Sequence, residues 1–364
     1  MEFIDLKTRL ATMRGALDER VAAVFEHGRY ILGPEVAELE EALAQYVGVK
    51  HCVGVASGTD SLLIALMALK VGPGDEVITV PYTWISSAEV IALAGATPVF
   101  VDIEKTTWNM DPTLLESVIT ERTKAIMPVG IYGQTADMDP INEIAARHKL
   151  PVIEDAAQSF GATYRGKKSC ALSRIGSTSF FPSKPLGGFG DGGALFTDDD
   201  TLANTFRQIR VHGQAGKHNH PVVGLNGRLD TLQAALLLAA YERFPFEVEQ
   251  RQRIGNRYSE LLADSGIAGL ELPKILEGRT SVYAQYTILS DDRAALQEKL
   301  KQAGIPAVAY YAKPLHLQPV FENLGYRLGD FPVTESVAER CLSLPMSAYL
   351  SADDQQAVVM AIRG

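Results

Sequence analysis

An α/β fold is predicted for this chain, with a mainly parallel sheet in a large domain over residues 1–240 and a smaller C-terminal α+β domain over 241–364. Two observations predict it. Over the first two-thirds, short β-rich apolar runs alternate with segments of helical periodicity, the pattern of a parallel sheet covered by helices. Beyond Leu229 the pattern changes to long helical stretches followed by strands with helices between them.

Taken in order, strands are predicted at 52–56, 76–80, 97–103, 124–129, 152–154 and 194–197, each an apolar or β-branched run closed by turn residues. Helices are predicted at 60–70, 86–94, 139–148 and 202–210, with Gly-Pro-Gly-Asp at 72–75 marking a turn. In the second region, helical stretches run through 240 and again over 247–262, and strands follow at 282–288 and 306–310. Motif residues fall where strands end. Open α/β sheets place ligands there, because loops leaving the carboxyl edge converge on one crevice.

The balance of 34 Lys and Arg against 44 Asp and Glu gives −10, which argues against nucleic acid or an anionic membrane as partner. Cys52, Cys170 and Cys341 lack CxxC spacing, so neither a disulfide framework nor a zinc site is expected. His212, His218 and His220 have no carboxylate or cysteine at ligand spacing, and no metal is expected. The N-terminal run is too charged for a signal peptide and no apolar run reaches spanning length, so a cytoplasmic enzyme is the expectation.

The chemistry concentrates around Lys184, in Ser179-Phe-Phe-Pro-Ser-Lys-Pro-Leu-Gly-Gly, 29 positions after Asp155 in Glu-Asp-Ala-Ala-Gln158. This pairing reads as a pyridoxal 5′-phosphate site. A lysine that forms a Schiff base must be shielded from water so that its amine can be neutral, and no residue within four positions of Lys184 carries a charge. Asp155, following a buried apolar run, is suited to keep the cofactor's pyridine nitrogen protonated. Ser57-Gly58-Thr59 follows a strand and opens a helix, which presents N–H groups to a phosphate; an ordinary N-cap is the competing reading. Trp84 is a candidate to stack on the cofactor ring, against an equally ordinary role in the core. Ser179 offers a hydroxyl to the phosphate and Gln158 an amide to the ring's phenolic oxygen. By itself Asn226-Gly-Arg-Leu-Asp reads as a turn and helix cap.

Together these motifs, with Gly33-Pro-Glu-Val near the start and Gly190-Asp-Gly-Gly, resemble the DegT/DnrJ/EryC1 family of sugar aminotransferases over nearly the whole chain. The resemblance implies a fold type I pyridoxal phosphate transferase with Lys184 and Asp155 catalytic. It implies a cofactor held by Gly58, Thr59, Trp84, Asp155, Gln158, Ser179, Lys184 and Asn226. In the family the asparagine matching Asn226 reaches the neighbouring subunit's phosphate, so a homodimer with shared sites is implied. His27-Gly-Arg-Tyr30 and Phe-Phe-Pro-Ser-Lys-Pro resemble the branch that aminates a UDP-linked 3-keto-N-acetylhexuronic acid with L-glutamate as donor, in surface polysaccharide (O-antigen) synthesis. Gly28, Tyr30, Ser183, Arg228, Tyr310 and Tyr311 match that branch's substrate positions. The family commonly has His-Tyr-Pro where this chain has Tyr310-Tyr311-Ala312. The rivals are amination of a dTDP-linked keto-6-deoxyhexose and a regulatory or scaffolding member without catalysis.

Overall fold

The computed structural model describes residues 1–263 and 267–363. The chain opens with two helices that the strand–helix alternation did not announce. Helix α1 (Leu6–His27) is capped by Asp5, whose carboxylate accepts from the Thr8 N–H, and is closed by Gly28 in the left-handed region. Helix α2 (Pro34–Val47) starts on a proline, whose missing N–H costs nothing in the first turn, and ends at left-handed Gly48.

Seven strands then build the large sheet: β1 (His51–Val55), β2 (Glu76–Thr79), β3 (Thr97–Phe100), β4 (Thr123–Ile126), β5 (Ile153–Asp155), β6 (Ile175–Ser179) and β7 (Gly193–Thr197). Their spatial order is β1-β7-β6-β5, continued through parallel bridges Ile126↔Val152 and Val129↔Asp155 to β4, then β2 and β3. The pairs β2–β3, β2–β4 and β5–β6 are parallel, whereas β7 runs antiparallel to both β1 and β6. The sheet is thus mainly parallel with one reversed strand. Helices α3 (Gly58–Ala68), α4 (Ser86–Leu93), α5 (Met138–His148) and α6 (Asp200–Ile209) lie within two residues of their predicted starts.

Strand β6, absent from the sequence reading, is Ile-Gly-Ser-Thr-Ser, nearly without apolar signal, yet it is buried in mid-sheet. Tertiary contact supplies what composition lacks: a Cβ on Gly176 would meet the Cys170 carbonyl at 2.3 Å, and the Ser177 and Ser61 hydroxyls bond one another.

Two further expectations are corrected. The stretches through 240 and from 247 form one helix, α7 (Thr231–Ala263), which continues across Pro245. A proline in a helix interior removes a hydrogen bond. Packing offsets that loss here, because the buried Phe244 stacks on Phe160 at 5.5 Å and the buried Glu247 pairs with Arg9 of α1. The predicted strand at 282–288 is observed as β9 (Tyr286–Ser290), and 306–310 holds only a single bridge, Val308↔Ser343. Leu270–Glu271 (β8) and Cys341–Leu344 (β10), both unforeseen, make a small antiparallel sheet with β9. That sheet and the helices Arg293–Gln302 and Ala352–Arg363 share one core with the end of α7, through Tyr258, Tyr283 and Tyr286.

Candidate active site

The hairpin from β6 to β7 positions Lys184. Residues 180–192 leave the carboxyl end of β6 beside the end of β5, where Asp155 sits, so the two motifs meet at one sheet edge. The loop is held as a compact turn: the Lys184 N–H donates to the Phe181 carbonyl at 2.8 Å and the Gly188 N–H to the Phe180 carbonyl at 2.7 Å. Gly187 allows this closeness, since a Cβ there would lie 2.2 Å from the Pro182 carbonyl oxygen. Arg9 adds an outer brace, donating to the Gly187 carbonyl at 2.7 Å.

A cavity of about 390 Å³ lies above this edge. Gly58, Thr59, Trp84, Asp155, Gln158, Ser179, Ser183, Lys184, Tyr310 and Tyr311, all singled out from sequence, line it. The remaining four lie elsewhere on the chain. Gly28 and Tyr30 sit after α1 with Tyr30 47% exposed, Asn226 is exposed, and half-buried Arg228 is bridged to Val55. Gly28 has a structural duty of its own as the left-handed cap of α1.

At one end of the cavity α3 begins. Ser57 caps it, accepting from the Asp60 N–H at 3.0 Å, while the Gly58 and Thr59 N–H groups open the helix beyond the reach of any intrahelical carbonyl. A Cβ on Gly58 would come within 2.5 Å of Ser179 Cβ, so glycine lets the helix start lie against the end of β6. First-turn N–H groups beside a serine hydroxyl make an anion site.

At the other end lies Asp155, 5% exposed. Its Oδ2 accepts from the Ser87 hydroxyl at 2.8 Å and its Oδ1 from the Ala157 N–H at 3.2 Å. Burial raises this carboxyl above its ordinary range, and the two hydrogen bonds with nearby Lys184 work to hold it down. Burial lowers the Lys184 ammonium below the usual lysine range, opposed by Asp155. The amine is therefore easier to deprotonate than a surface lysine.

Gln158 is oriented by its neighbours: its Oε1 accepts from the Tyr132 N–H at 2.8 Å and its Nε2 donates to Tyr311 Oη at 3.2 Å. Tyr132 makes this contact from a left-handed backbone, φ 57°, pinned by its hydroxyl's bonds to Tyr82 Oη at 2.6 Å and to the Tyr310 carbonyl. Trp84, 56% exposed, tilts against Tyr311 with ring centres 6.0 Å apart. Sequence reasoning missed Ser87, Tyr132, Asp191 and Gln285. Only Asp191 carried a signal, in Gly190-Asp-Gly-Gly; the others lie on an unmarked helix face or a turn.

The cavity thus joins an anion site, a deep carboxylate and a depressed-pKa lysine, a donor set that fits a phosphorylated cationic heteroaromatic ring. The model of the DegT/DnrJ/EryC1/StrS aminotransferase family matches residues 12–363. The chain belongs to that family. It is 53% identical over 350 residues, 96% of each chain, to the UDP-2-acetamido-2-deoxy-3-oxo-D-glucuronate aminotransferase of Pseudomonas aeruginosa. Its fold matches a family aminotransferase from Brucella abortus with a TM-score of 0.96 and 43% identity, covering 100% of this chain and 99% of that one. A structure of NtdA from Bacillus subtilis with bound PMP matches at TM-score 0.92 and 31% identity, over 100% and 84% of the two chains. The family enzymes are pyridoxal phosphate-dependent sugar aminotransferases, so the α/β fold, the enzyme class and the cofactor expected from the motifs hold. No helix among the described residues is long and apolar enough to cross a membrane.

Proposed function

We propose that this aminotransferase moves the amino group of L-glutamate to the 3-keto carbon of UDP-2-acetamido-2-deoxy-3-oxo-D-glucuronate, giving the 3-amino sugar and 2-oxoglutarate. Bound here, pyridoxal phosphate would supply the electron sink and amine carrier that transamination needs. Lys184 Nζ, which lines the cavity, would take a proton from the substrate carbon and return it. Asp155, stabilised as a carboxylate by Ser87 and the Ala157 N–H, would hold a proton on the ring nitrogen. Gln158, aligned by Tyr132, would offer Nε2 to the ring oxygen. The Gly58 and Thr59 N–H groups and the Ser179 hydroxyl would hold the phosphate, and Trp84 would pack on the ring.

Asn226, Arg228, Gly28 and Tyr30 are assigned to the neighbouring subunit's cavity in a homodimer. What supports this is their absence from their own cavity together with apolar surface beside them: Phe25, Ile31 and Val223 are 59%, 54% and 83% exposed. Ser183, Tyr310 and Tyr311 face the sugar from the same chain as Lys184. Arg228, whose Nε is buried without a protein partner, is the candidate to pair with the sugar carboxylate. We further place the reaction in the cytoplasm, in synthesis of a diamino uronic acid for surface polysaccharide (O-antigen), and the domain division after residue 240, inside α7.

The observation that carries the sugar assignment is the 53% identity to the uronate enzyme over nearly the full chain. Stopped-flow measurement of each half-reaction tests it. Arg228→Ala should slow the UDP-3-keto-uronate half-reaction about ten- to a hundredfold while sparing the glutamate half-reaction and an uncharged 6-hydroxy analogue. Equal losses with all three would remove Arg228 from carboxylate recognition, and a wild-type protein that prefers a dTDP-linked keto-6-deoxyhexose would replace the substrate.

A further inference from the structure

Beside the catalytic cavity lies a second, small one of about 20 Å³, whose lining includes Trp108, Tyr132, Ser281 and Gln285. Gln285 lines the catalytic cavity as well, which places this residue in the wall the two share. Two sealed polar atoms face no protein partner here, the indole Nε1 of Trp108 and the Oε1 of Gln285. Trp108 is only 3% exposed. An indole N–H can only donate and a carboxamide oxygen can only accept. Leaving either bare in the interior is costly, yet they are not bonded to each other. A third polar atom, Ser281 Oγ, accepts from the Tyr283 N–H at 3.0 Å and belongs to the same lining. A space of this size with two to four polar groups suits one water molecule.

We propose that one ordered water sits in this cavity, accepting from Trp108 Nε1–H and donating to Gln285 Oε1, and that it thereby turns the Gln285 amide NH₂ group toward the catalytic cavity as a donor to an acceptor oxygen of the sugar. Gln285 is then a substrate-binding residue and Trp108 a positioning residue that acts through water. The second half of this inference rests on the sugar-aminotransferase reading above; the water itself does not. The arrangement follows from complementarity. Once its carbonyl oxygen is engaged behind the cavity wall, the amide has only donors left to offer in front, and carbohydrate hydroxyls, carbonyls and carboxylates all accept.

High-resolution crystals of the holoenzyme test the water directly. Density is expected within hydrogen-bonding distance of both Trp108 Nε1 and Gln285 Oε1, and its absence would overturn the proposal. Trp108→Phe keeps an aromatic ring against Tyr132 and removes the donor. This variant should lose the water, raise KM for the keto sugar about three- to tenfold, and leave the cofactor absorbance and the glutamate half-reaction unchanged. Gln285→Met, of similar length, should raise the same KM at least as much, and the double variant should be no worse than Gln285→Met. Additive losses, or a Trp108→Phe variant with wild-type KM, would overturn the positioning role. If no keto sugar nucleotide is turned over by the wild-type protein, the positioning half falls with the substrate reading, while the density still decides the water.

Discussion

Lys184 and Asp155 could be found by reading because each sits in a local context that a surface residue would not have: an uncharged, glycine-followed loop and the end of an apolar strand. Ser87 could not. Its hydroxyl reaches Asp155 from the first turn of α4, 68 positions away in the chain, and nothing in Ser86-Ser-Ala-Glu distinguishes it from any other helix start. Removing it leaves a buried carboxylate with one hydrogen bond fewer, and its proton affinity, already raised by burial, should rise further. Ser87→Ala is therefore expected to retain cofactor and to lower kcat about three- to tenfold, measured in single turnovers of the glutamate half-reaction. A change confined to KM would place Ser87 in substrate binding instead.

Among the elements, the start of α3 is sensitive to a one-atom change. Gly58→Ala puts a methyl 2.5 Å from Ser179 Cβ, so the helix start and the end of β6 must separate. Both contribute to the anion site. We expect the variant to bind pyridoxal phosphate at least about tenfold more weakly, read by cofactor titration, with little change in far-UV circular dichroism. A wild-type affinity would mean that the site relaxes at no cost.

Strand β5 carries a second acid, Glu154, 2% exposed, which accepts from the Ser169 hydroxyl at 2.8 Å and the Cys170 N–H at 2.9 Å. Burial pushes its carboxyl up to about 7 from an ordinary 4.5. Between those values the folded protein keeps a proton that the unfolded chain has released. The contribution is complete below about pH 4.5 and is lost as pH rises to about 7, on the order of 3 kcal/mol. Glu154→Gln can keep both contacts, taking the Cys170 N–H on its oxygen and donating to Ser169. Denaturant melts across that window should show a flatter decline in the variant than in the wild type, and equal slopes would assign the decline to another group.

For the whole molecule the question is which chain completes which cavity. Lys184→Ala and Asn226→Ala homodimers should each be inactive or nearly so. Mixed in equal amounts and allowed to exchange, half the dimers are heterodimers carrying one site with both defects and one intact. About a quarter of wild-type activity is then expected. Exchange without recovery would show that Asn226 serves its own subunit.

Apart from β6, the alternation of apolar runs and helical periods by itself determined the strands of the large sheet and helices α3 to α6, since a period of two or of 3.6 records which face is buried. The candidate residues Lys184 and Asp155 were legible too, because an uncharged lysine loop and an acid at a strand end are local patterns. Only the tertiary structure decided β6, whose Ile-Gly-Ser-Thr-Ser is buried by its neighbours rather than by its own apolarity, and the continuity of α7 through Pro245, where Phe244 and Glu247 find partners 84 and 238 positions away. Ser87, Tyr132 and Gln285 belong with these. Each acts through a single contact or a shared wall between segments far apart in the chain, and a pairing of that kind leaves no periodicity in either segment to be read.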